Sequence, residues 1–463
     1  MEISFHGAAG GVTGSCHHLQ IGKRQILIDC GLFQGEGDIA RENAAAFGFD
    51  PAAIDFLLLT HAHLDHCGRI PLLVKRGFRG EILCTAATRD LTRLVLLDAA
   101  GLAAEEARRA NRRSKRQGEE EKEALYDIQD VLDTMERFGR LPDYGQALEL
   151  CEGIQATFDD AGHILGSAWI LLEAQEGPIR KRLLFSGDLG NGNKPIVKDP
   201  RPAPKADMIL MECTYGDRLH KPLGPSVEEL RDALLDTLQR GGNAIIPTFA
   251  LERAQDLLYF FREMIEKEEL PRHLPVFLDS PMAISATEIF RRHRECMNLE
   301  SVALFQQGID PFALPNLHFT RETSESMQIN QIQGGAIILA GSGMASGGRV
   351  THHLKHNLWR ADSSVIFVGY AAQGTLARRI IDGAKTVRIF GEEIQVRARI
   401  FTIGGFSAHA DHDELLRWYG AEQRPALTFL VHGEDRGREG IAAVLRQRAL
   451  PYHTPVIGER YSL

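Results

Sequence analysis

Phe56-Leu57-Leu58-Leu59-Thr60-His61-Ala62-His63-Leu64-Asp65-His66 sets an apolar strand directly against a loop dense in metal-binding side chains. A buried strand anchors such a loop, so organising it costs little further entropy. His61 and His63, two residues apart, project to one side of an extended segment. Imidazole with carboxylate is the ligand chemistry of zinc and related divalent ions. A lone histidine is more often a core or surface residue; three histidines and an aspartate within six residues are hard to account for that way.

A pair of metals with positions left open to water takes about seven or eight protein donors, so further ligands must come from elsewhere. Three more stand at the ends of apolar runs. His163 lies in Gly162-His163-Ile164-Leu165-Gly166-Ser167, Asp188 closes Ser186-Gly187-Asp188, and His432 follows Phe429-Leu430-Val431. Taken singly, each is equally well a turn residue; their order and setting make them a set.

Working outward, the first sixty residues read as strands over Met1 to Phe5, His17 to Ile21, Gln25 to Asp29 and Ile54 to Thr60. Gly10-Gly11-Val12-Thr13-Gly14-Ser15 and the stretch Gly31 to Gly37 read as turns, since the first lacks the Lys-Ser/Thr ending of a phosphate-binding loop. From Asp90 to about Phe138 the pattern is helical, with Leu91, Leu94, Val95 and Leu102 on one face. Strands resume over Ile154 to Phe158, Ala168 to Glu173, Arg182 to Ser186 and Met208 to Glu212. After Tyr215 helices and strands alternate: a helix Ser226 to Arg240, a strand Asn243 to Pro247, a helix Ala250 to Glu268 and strands Pro275 to Asp279, Ala336 to Ala340 and Ser364 to Gly369. Such alternation predicts βαβ units on a parallel sheet. By about Arg388 strands dominate again, with Thr428 to Val431 the next clear one, so an α/β block is read as inserted into a β-rich parent.

A chain of 463 residues, 44% hydrophobic and 25% charged, has the composition of a globular protein of about two or three domains. Its start shows no secretory signal and no apolar run is long enough to span a bilayer. The seven cysteines include no paired Cys-x-x-Cys, so reduced thiols and a cytoplasmic setting are expected. The net charge of -9 by itself counts against a nucleic-acid partner, although bound metal would neutralise several carboxylates. Basic residues gather at Arg108, Arg109, Arg112, Arg113, Lys115 and Arg116, a cluster read as a solvated helical face.

The ordered ligand series resembles the metallo-β-lactamase superfamily, whose fold is an αββα sandwich: two facing β-sheets covered outside by helices. The resemblance implies two Zn2+ ions, one bound by His61, His63 and His163 and the other by Asp65, His66 and His432, with Asp188 bridging. Asp29 matches the acidic position that orients ligands from behind. Three further features resemble the β-CASP nucleases, the branch that includes the cleavage subunit of messenger-RNA 3′-end processing. They are Glu212 before Cys213-Thr214-Tyr215-Gly216, His409 in Gly404-Gly405-Phe406-Ser407-Ala408-His409-Ala410-Asp411, and His432 in Val431-His432-Gly433-Glu434, where DNA-cleaving members usually carry valine. The inserted block resembles the β-CASP domain at Pro247-Thr248-Phe249-Ala250 with Arg253 and Gln255, at Asp279-Ser280-Pro281-Met282, at Gly341-Ser342-Gly343-Met344 and at Gly369-Tyr370 with Gly374-Thr375-Leu376. Glu252 and Ala377 depart from it, standing where glycine is common.

This resemblance implies a metallo-β-lactamase sandwich in two parts, residues 1–213 and 396–463, around a β-CASP domain of residues 214–395 with a parallel sheet flanked by helices. It implies hydrolysis of single-stranded RNA by a water activated between the metals, with Asp65, His409 and Glu212 as the catalytic group. His409 would protonate the leaving oxygen and Glu212 would orient it. Arg253 and the Gly341 to Gly348 loop, through Ser342, Gly343 and Met344, are the expected phosphate contacts. Larger relatives use added modules for dimerisation or RNA docking, so their partner properties do not carry over; a homodimer stays open. The rivals are a lactam or thioester hydrolase on the same scaffold, a silent RNA-binding scaffold and a DNA nuclease.

Overall fold

The computed structural model describes residues 1–35, 38–117 and 123–463, the side chains of 113–117 excepted. Strands β1 (Glu2–Gly7), β2 (Cys16–Ile21), β3 (Arg24–Ile28), β4 (Phe56–Leu58) and β5 (Glu81–Leu83) precede a long helix, Ala86–Gln117. After it come β6 (Ala147–Cys151), β7 (Ile154–Asp160), β8 (Ala168–Glu176), β9 (Ile179–Phe185) and β10 (Met208–Glu212). The α/β stretch holds β11 (Ala244–Pro247), β12 (Val276–Asp279), β13 (Leu317–Phe319), β14 (Ile337–Ala340), β15 (Ser364–Val368), the hairpin β16 (Thr386–Ile389) and β17 (Glu392–Gln395), and β18 (Arg399–Ile403). Last come β19 (Leu427–Val431), β20 (Tyr452–His453) and β21 (Arg460–Ser462).

The chain divides into two compact units. The first comprises Met1–Gly192, Asp199–Leu219 and His409–Leu463. It holds a six-stranded sheet in the order β21-β1-β2-β3-β4-β5 and a seven-stranded sheet in the order β20-β19-β10-β9-β8-β7-β6. Their inner faces share one apolar core in which Phe5, Leu19, Ile28 and Leu58 from one sheet meet Phe158, Ile170, Phe185, Leu210 and Phe429 from the other. The outer face of the larger sheet is covered by helices His412–Tyr419 and Asp435–Gln447, through Leu415, Trp418, Ile441 and Leu445. This is the expected αββα sandwich, and its alternating strands such as β7 bury one face and leave the other half-exposed.

Within it, β3-β4-β5 and β9-β10-β19 run parallel, so their carboxyl ends bring loops to one edge of each sheet. The expected strand Ile54 to Thr60 pairs only over Phe56–Leu58, because Pro51–Ala53 forms a 3-10 turn and Leu59 and Thr60 leave the ladder toward the site. On the long helix Leu91 and Val95 are buried, but Leu102 is 57% exposed, since the helix runs beyond the core that covers its first turns. Arg108, Arg109 and Arg112 are exposed, as a solvated face requires, while the side chains of Arg113, Lys115 and Arg116 lie outside the described residues.

The second unit comprises Asn193–Lys198 and His220–Ala408. Its six strands, in the order β13-β12-β14-β11-β15-β18, are all parallel, as the alternation predicted, with helices such as Leu223–Gln239 and Arg349–Asn357 packed against them. The sequence reading ended this domain at 395. In the structure β18 pairs with β15 over Ser364↔Arg399 to Val368↔Ile403, which carries the unit on to Ala408.

Candidate metal centre

Asp29 and His432 directly follow β3 and β19, Glu212 is the last residue of β10, and His61 and Asp188 stand in the loops that leave β4 and β9. Thr60 N donates to Asp29 Oδ1 (2.8 Å) and Thr60 Oγ1 to Asp29 Oδ2 (2.9 Å), so the loop bearing His61 is tied to the end of β3. His61 Nδ1–H then donates to Thr60 Oγ1 (3.1 Å), leaving Nε2 bare. His66 lies on the short helix Leu64–Cys67, and its Nδ1–H donates to Asp29 Oδ2 at 2.7 Å, which fixes its tautomer and turns Nε2 inward. His163 is placed by Ser167 Oγ, which accepts from the amides of His163 and Ile164 at 3.0 and 3.2 Å. His432, beyond β19, donates its amide to Ala8 O (2.7 Å) and its Nδ1–H to Thr214 Oγ1 (3.1 Å). Its Nε2 is thereby free. Asp29 thus accepts from both His66 and Thr60, whereas the sequence gives no sign of Thr60, Ser167 and Thr214, because a hydroxyl beside a histidine has no spacing that distinguishes it from a turn residue.

The bare atoms converge in two groups. His63 Nδ1 lies 3.1 Å from both His61 Nε2 and His163 Nε2, and Asp188 Oδ2 lies 3.5 and 3.7 Å from His61 and His163. In the second group His66 Nε2 lies 3.3 Å from His432 Nε2 and 3.3 Å from Asp188 Oδ1, and Asp65 Oδ2 lies 3.6 Å from His432 Nε2. Zinc–nitrogen bonds of about 2.0 Å in a tetrahedron put neighbouring donors about 3.3 Å apart. Both groups match that spacing, and nitrogens this close need either a shared proton or a cation between them. Asp188 Oδ1 is buried without a hydrogen-bond donor among the described residues, while its partner oxygen faces the other group. A carboxylate so placed turns one oxygen toward each group. The residues therefore fit a pair of divalent ions.

Electrostatics agree. Burial, reinforced by neighbouring imidazoles, holds His61 and His163 well below the ordinary histidine pKa, and burial brings His63 down to about 4. These rings are held in the neutral form, the form in which an imidazole can bind a metal. Burial opposes ionisation of Asp188, but His432, His66 and His61 outweigh it and hold the carboxyl well below its usual range.

Glu212 ends β10, wholly buried, and its Oε1 accepts from Leu189 N at 2.6 Å. His409 is held by a backbone bridge to Gly190 and by Ala410 N donating to Leu189 O (2.7 Å). Its Nδ1 faces Glu212 Oε1 at 3.4 Å and Asp188 Oδ2 at 3.9 Å. Burial lowers the His409 pKa, but Glu212, Asp188 and Asp65 together raise it above the ordinary value. The structure thus gathers all nine residues, His61, His63, Asp65, His66, His163, Asp188, Glu212, His409 and His432, in the first unit. Of the expected phosphate contacts, Arg253 is 7% exposed and its guanidinium meets Asp256 Oδ2 at 2.9 Å. Ser342, Gly343 and Met344 are half-buried, with Gly343 against the Phe249 ring and Met344 O accepting from Ala377 N.

Two sheets with a histidine and aspartate centre at their strand ends define the class of metallo-hydrolases. Residues 9–136 match the metallo-beta-lactamase superfamily, 254–380 the Beta-Casp domain and 393–455 the Zn-dependent metallo-hydrolase RNA specificity domain. The chain is 41% identical to ribonuclease TTHA0252 of Thermus thermophilus over 99% of both chains. It is 32% identical to the transcription termination factor FttA of Methanosarcina mazei, over 96% of this chain and 68% of that one. A protein of unknown function from Enterococcus faecalis V583 shares the fold, with a TM-score of 0.56 at 14% identity over 100% and 99% of the two chains. The chain belongs to the β-CASP family of the metallo-β-lactamase superfamily.

Proposed function

We propose that this protein is a zinc-dependent ribonuclease that binds two Zn2+ ions and hydrolyses phosphodiester bonds of single-stranded RNA in RNA processing or decay. The observation that carries the reading is the division of Asp188, one oxygen toward His61 and His163 and the other toward His66, with His409 beside it. It is supported by the ribonuclease relative that aligns along 99% of the chain and by the match to an RNA specificity domain. The first ion would be held by His61, His63, His163 and Asp188, the second by Asp65, His66, His432 and Asp188.

When bound, such ions supply an activated water and positive charge for the phosphate. The chain's own residues do the rest. Asp29 and Thr60 fix the ring orientations of His66 and His61, and Thr214 fixes that of His432. Asp65 contributes a carboxylate oxygen to the second group. His409 carries the proton for the leaving oxygen, and the Glu212 carboxylate stabilises its protonated form. Arg253 and the Ser342, Gly343 and Met344 loop are assigned to RNA phosphates. The Asp256 partner makes Arg253 the weaker of the two.

All seven cysteines are unpaired, in keeping with a reducing, cytoplasmic setting, and no helix among the described residues is long and apolar enough to cross a membrane. A homodimer is tested by sedimentation. The deciding assay pairs elemental analysis with cleavage of 5′-phosphorylated and internally labelled RNA beside DNA of matched sequence. Two zinc per chain and RNA cleavage abolished by chelation are expected; metal-free protein that still cleaves would overturn the reading. Cleavage of DNA alone would move the activity to the other nucleic acid.

A further inference from the structure

Behind Asp188, His66 and His432, where the ends of β2, β3 and β9 approach one another, lies a cavity of about 20 Å³ in which a water can be centred. That is room for one molecule. Besides His66 and His432, its polar lining comes from Ser15, His17, Asp29, Thr60, Ser186 and Asp188, and all six of these residues are buried. Most of these groups are already engaged. Thr60 and Ser15 donate to Asp29, and Ser186 Oγ accepts from Glu212 N and donates to Gly187 O.

His17 is the exception. It sits on β2 with 4% of its surface exposed, facing the core between the sheets, and the edge of Phe5 lies against its ring at 5.6 Å. Among the described residues its Nδ1 has no hydrogen-bond partner, and neither has Asp188 Oδ1 on the same cavity. Leaving a buried polar atom unmade costs about 1–3 kcal/mol, so an imidazole at a position that β-branched or aromatic residues fill more stably calls for a partner. A water is the partner that fits, because it offers donors and acceptors at once and the cavity holds only one. A carboxylate oxygen has two lone pairs, so Asp188 Oδ1 can accept from that water and still face the second donor group.

We propose that this cavity holds one ordered water, that His17 binds it against Asp188, and that His17 is thereby a positioning residue for the carboxylate shared by the two metal sites. The inference rests on the two-zinc reading. Its chemistry is that of groups behind metal ligands, whose loss costs metal affinity rather than the reaction alone.

The test is zinc titration against a competing chelator for the wild-type protein, His17→Phe and His17→Asn, with folding followed by circular dichroism. Phenylalanine fills the space without a hydrogen bond; the asparagine amide overlies Nδ1. Folded His17→Phe is expected to bind zinc about tenfold more weakly, with His17→Asn within about threefold of wild type. A role in packing alone would reverse that ranking. Folded His17→Phe with wild-type zinc affinity overturns the inference while leaving the two-zinc reading intact, whereas wild-type protein that binds no zinc overturns the reading itself. If His17→Phe does not fold, a zinc-loaded crystal structure of the wild-type protein decides: a water within about 3.2 Å of His17 Nδ1 sustains the proposal, and an empty cavity ends it.

Discussion

His409 and Asp65 stand within one cluster but answer to different physics. His409 is not among the donors that face one another at zinc spacing; its nearest carboxylate is Glu212, and the carboxylates around it outweigh burial in favouring the charged ring. On the proposed mechanism, removing the imidazole takes away a proton donor and leaves the ligand set whole. His409→Ala should therefore retain two zinc per chain by elemental analysis while RNA cleavage falls about 100-fold or more, the usual scale for loss of a general acid. Full cleavage by that variant would remove His409 from the mechanism. Asp65 Oδ2, by contrast, lies 3.6 Å from His432 Nε2 within the second group. On the proposed ligand assignment, an amide there replaces a charged ligand by a neutral one, so Asp65→Asn should lose metal occupancy together with activity. Retained occupancy of two would show that the second site does not depend on Asp65.

At the scale of elements, the centre exists because strand ends cross closely enough to lock the loops together. Gly31, which the sequence reading took for a turn residue, passes so near the metal loop that a Cβ there would fall 1.6 Å from Asp65 O. Its amide meanwhile donates to Ser15 O, so the segment cannot simply move away. Gly31→Ala should cost about 3 kcal/mol in chemical denaturation and weaken zinc binding, while Gly11→Ala, where nothing lies within 4 Å, should change neither. The same crossing explains what was legible. A donor after an apolar run is visible in sequence, which is why Asp188 and His432 could be named from their strands. The hydroxyls that orient the rings could not be, and neither could the membership of β18, because a five-residue strand of mixed polarity does not reveal which sheet it joins. Glu252 shows the limit from the other side. The glycine expected there is absent, yet the backbone still takes φ 65 and ψ -59, with Arg253 N donating to Leu251 O across it. That three-residue turn is strained for any side chain, so the local shape is set by the surrounding helix and strand rather than by the residue.

For the whole molecule, stability divides between two kinds of buried charge that respond to different conditions. In the α/β unit Asp279 is buried at the end of β12 and accepts from Thr320 Oγ1, Ser326 Oγ, Arg349 and His353 at 2.6–2.7 Å. Burial raises its pKa, but these donors outweigh it and bring the carboxyl down to about 2. A carboxyl depressed in the folded state stabilises above its unfolded value near 4 and loses that contribution as pH falls through about 2. The contribution is about 2 kcal/mol at neutral pH, so Asp279→Asn should be less stable than wild type by about that amount at pH 7 and the gap should close between pH 4 and 2. A gap that stays constant across that range would mean the donors act through packing. In the sandwich unit the proposed function makes the buried charges depend on metal instead. Asp188 and the imidazoles facing it are arranged for cations, and a ligand that binds only the folded state stabilises it by about 4 kcal/mol at a thousand times its dissociation constant. Chelation should thus lower the thermal midpoint, added zinc should restore it, and the midpoint should keep rising with free zinc beyond saturation of the sites. Chelated protein that melts at the same temperature as the zinc-loaded form would show that the cluster is held together by the protein alone.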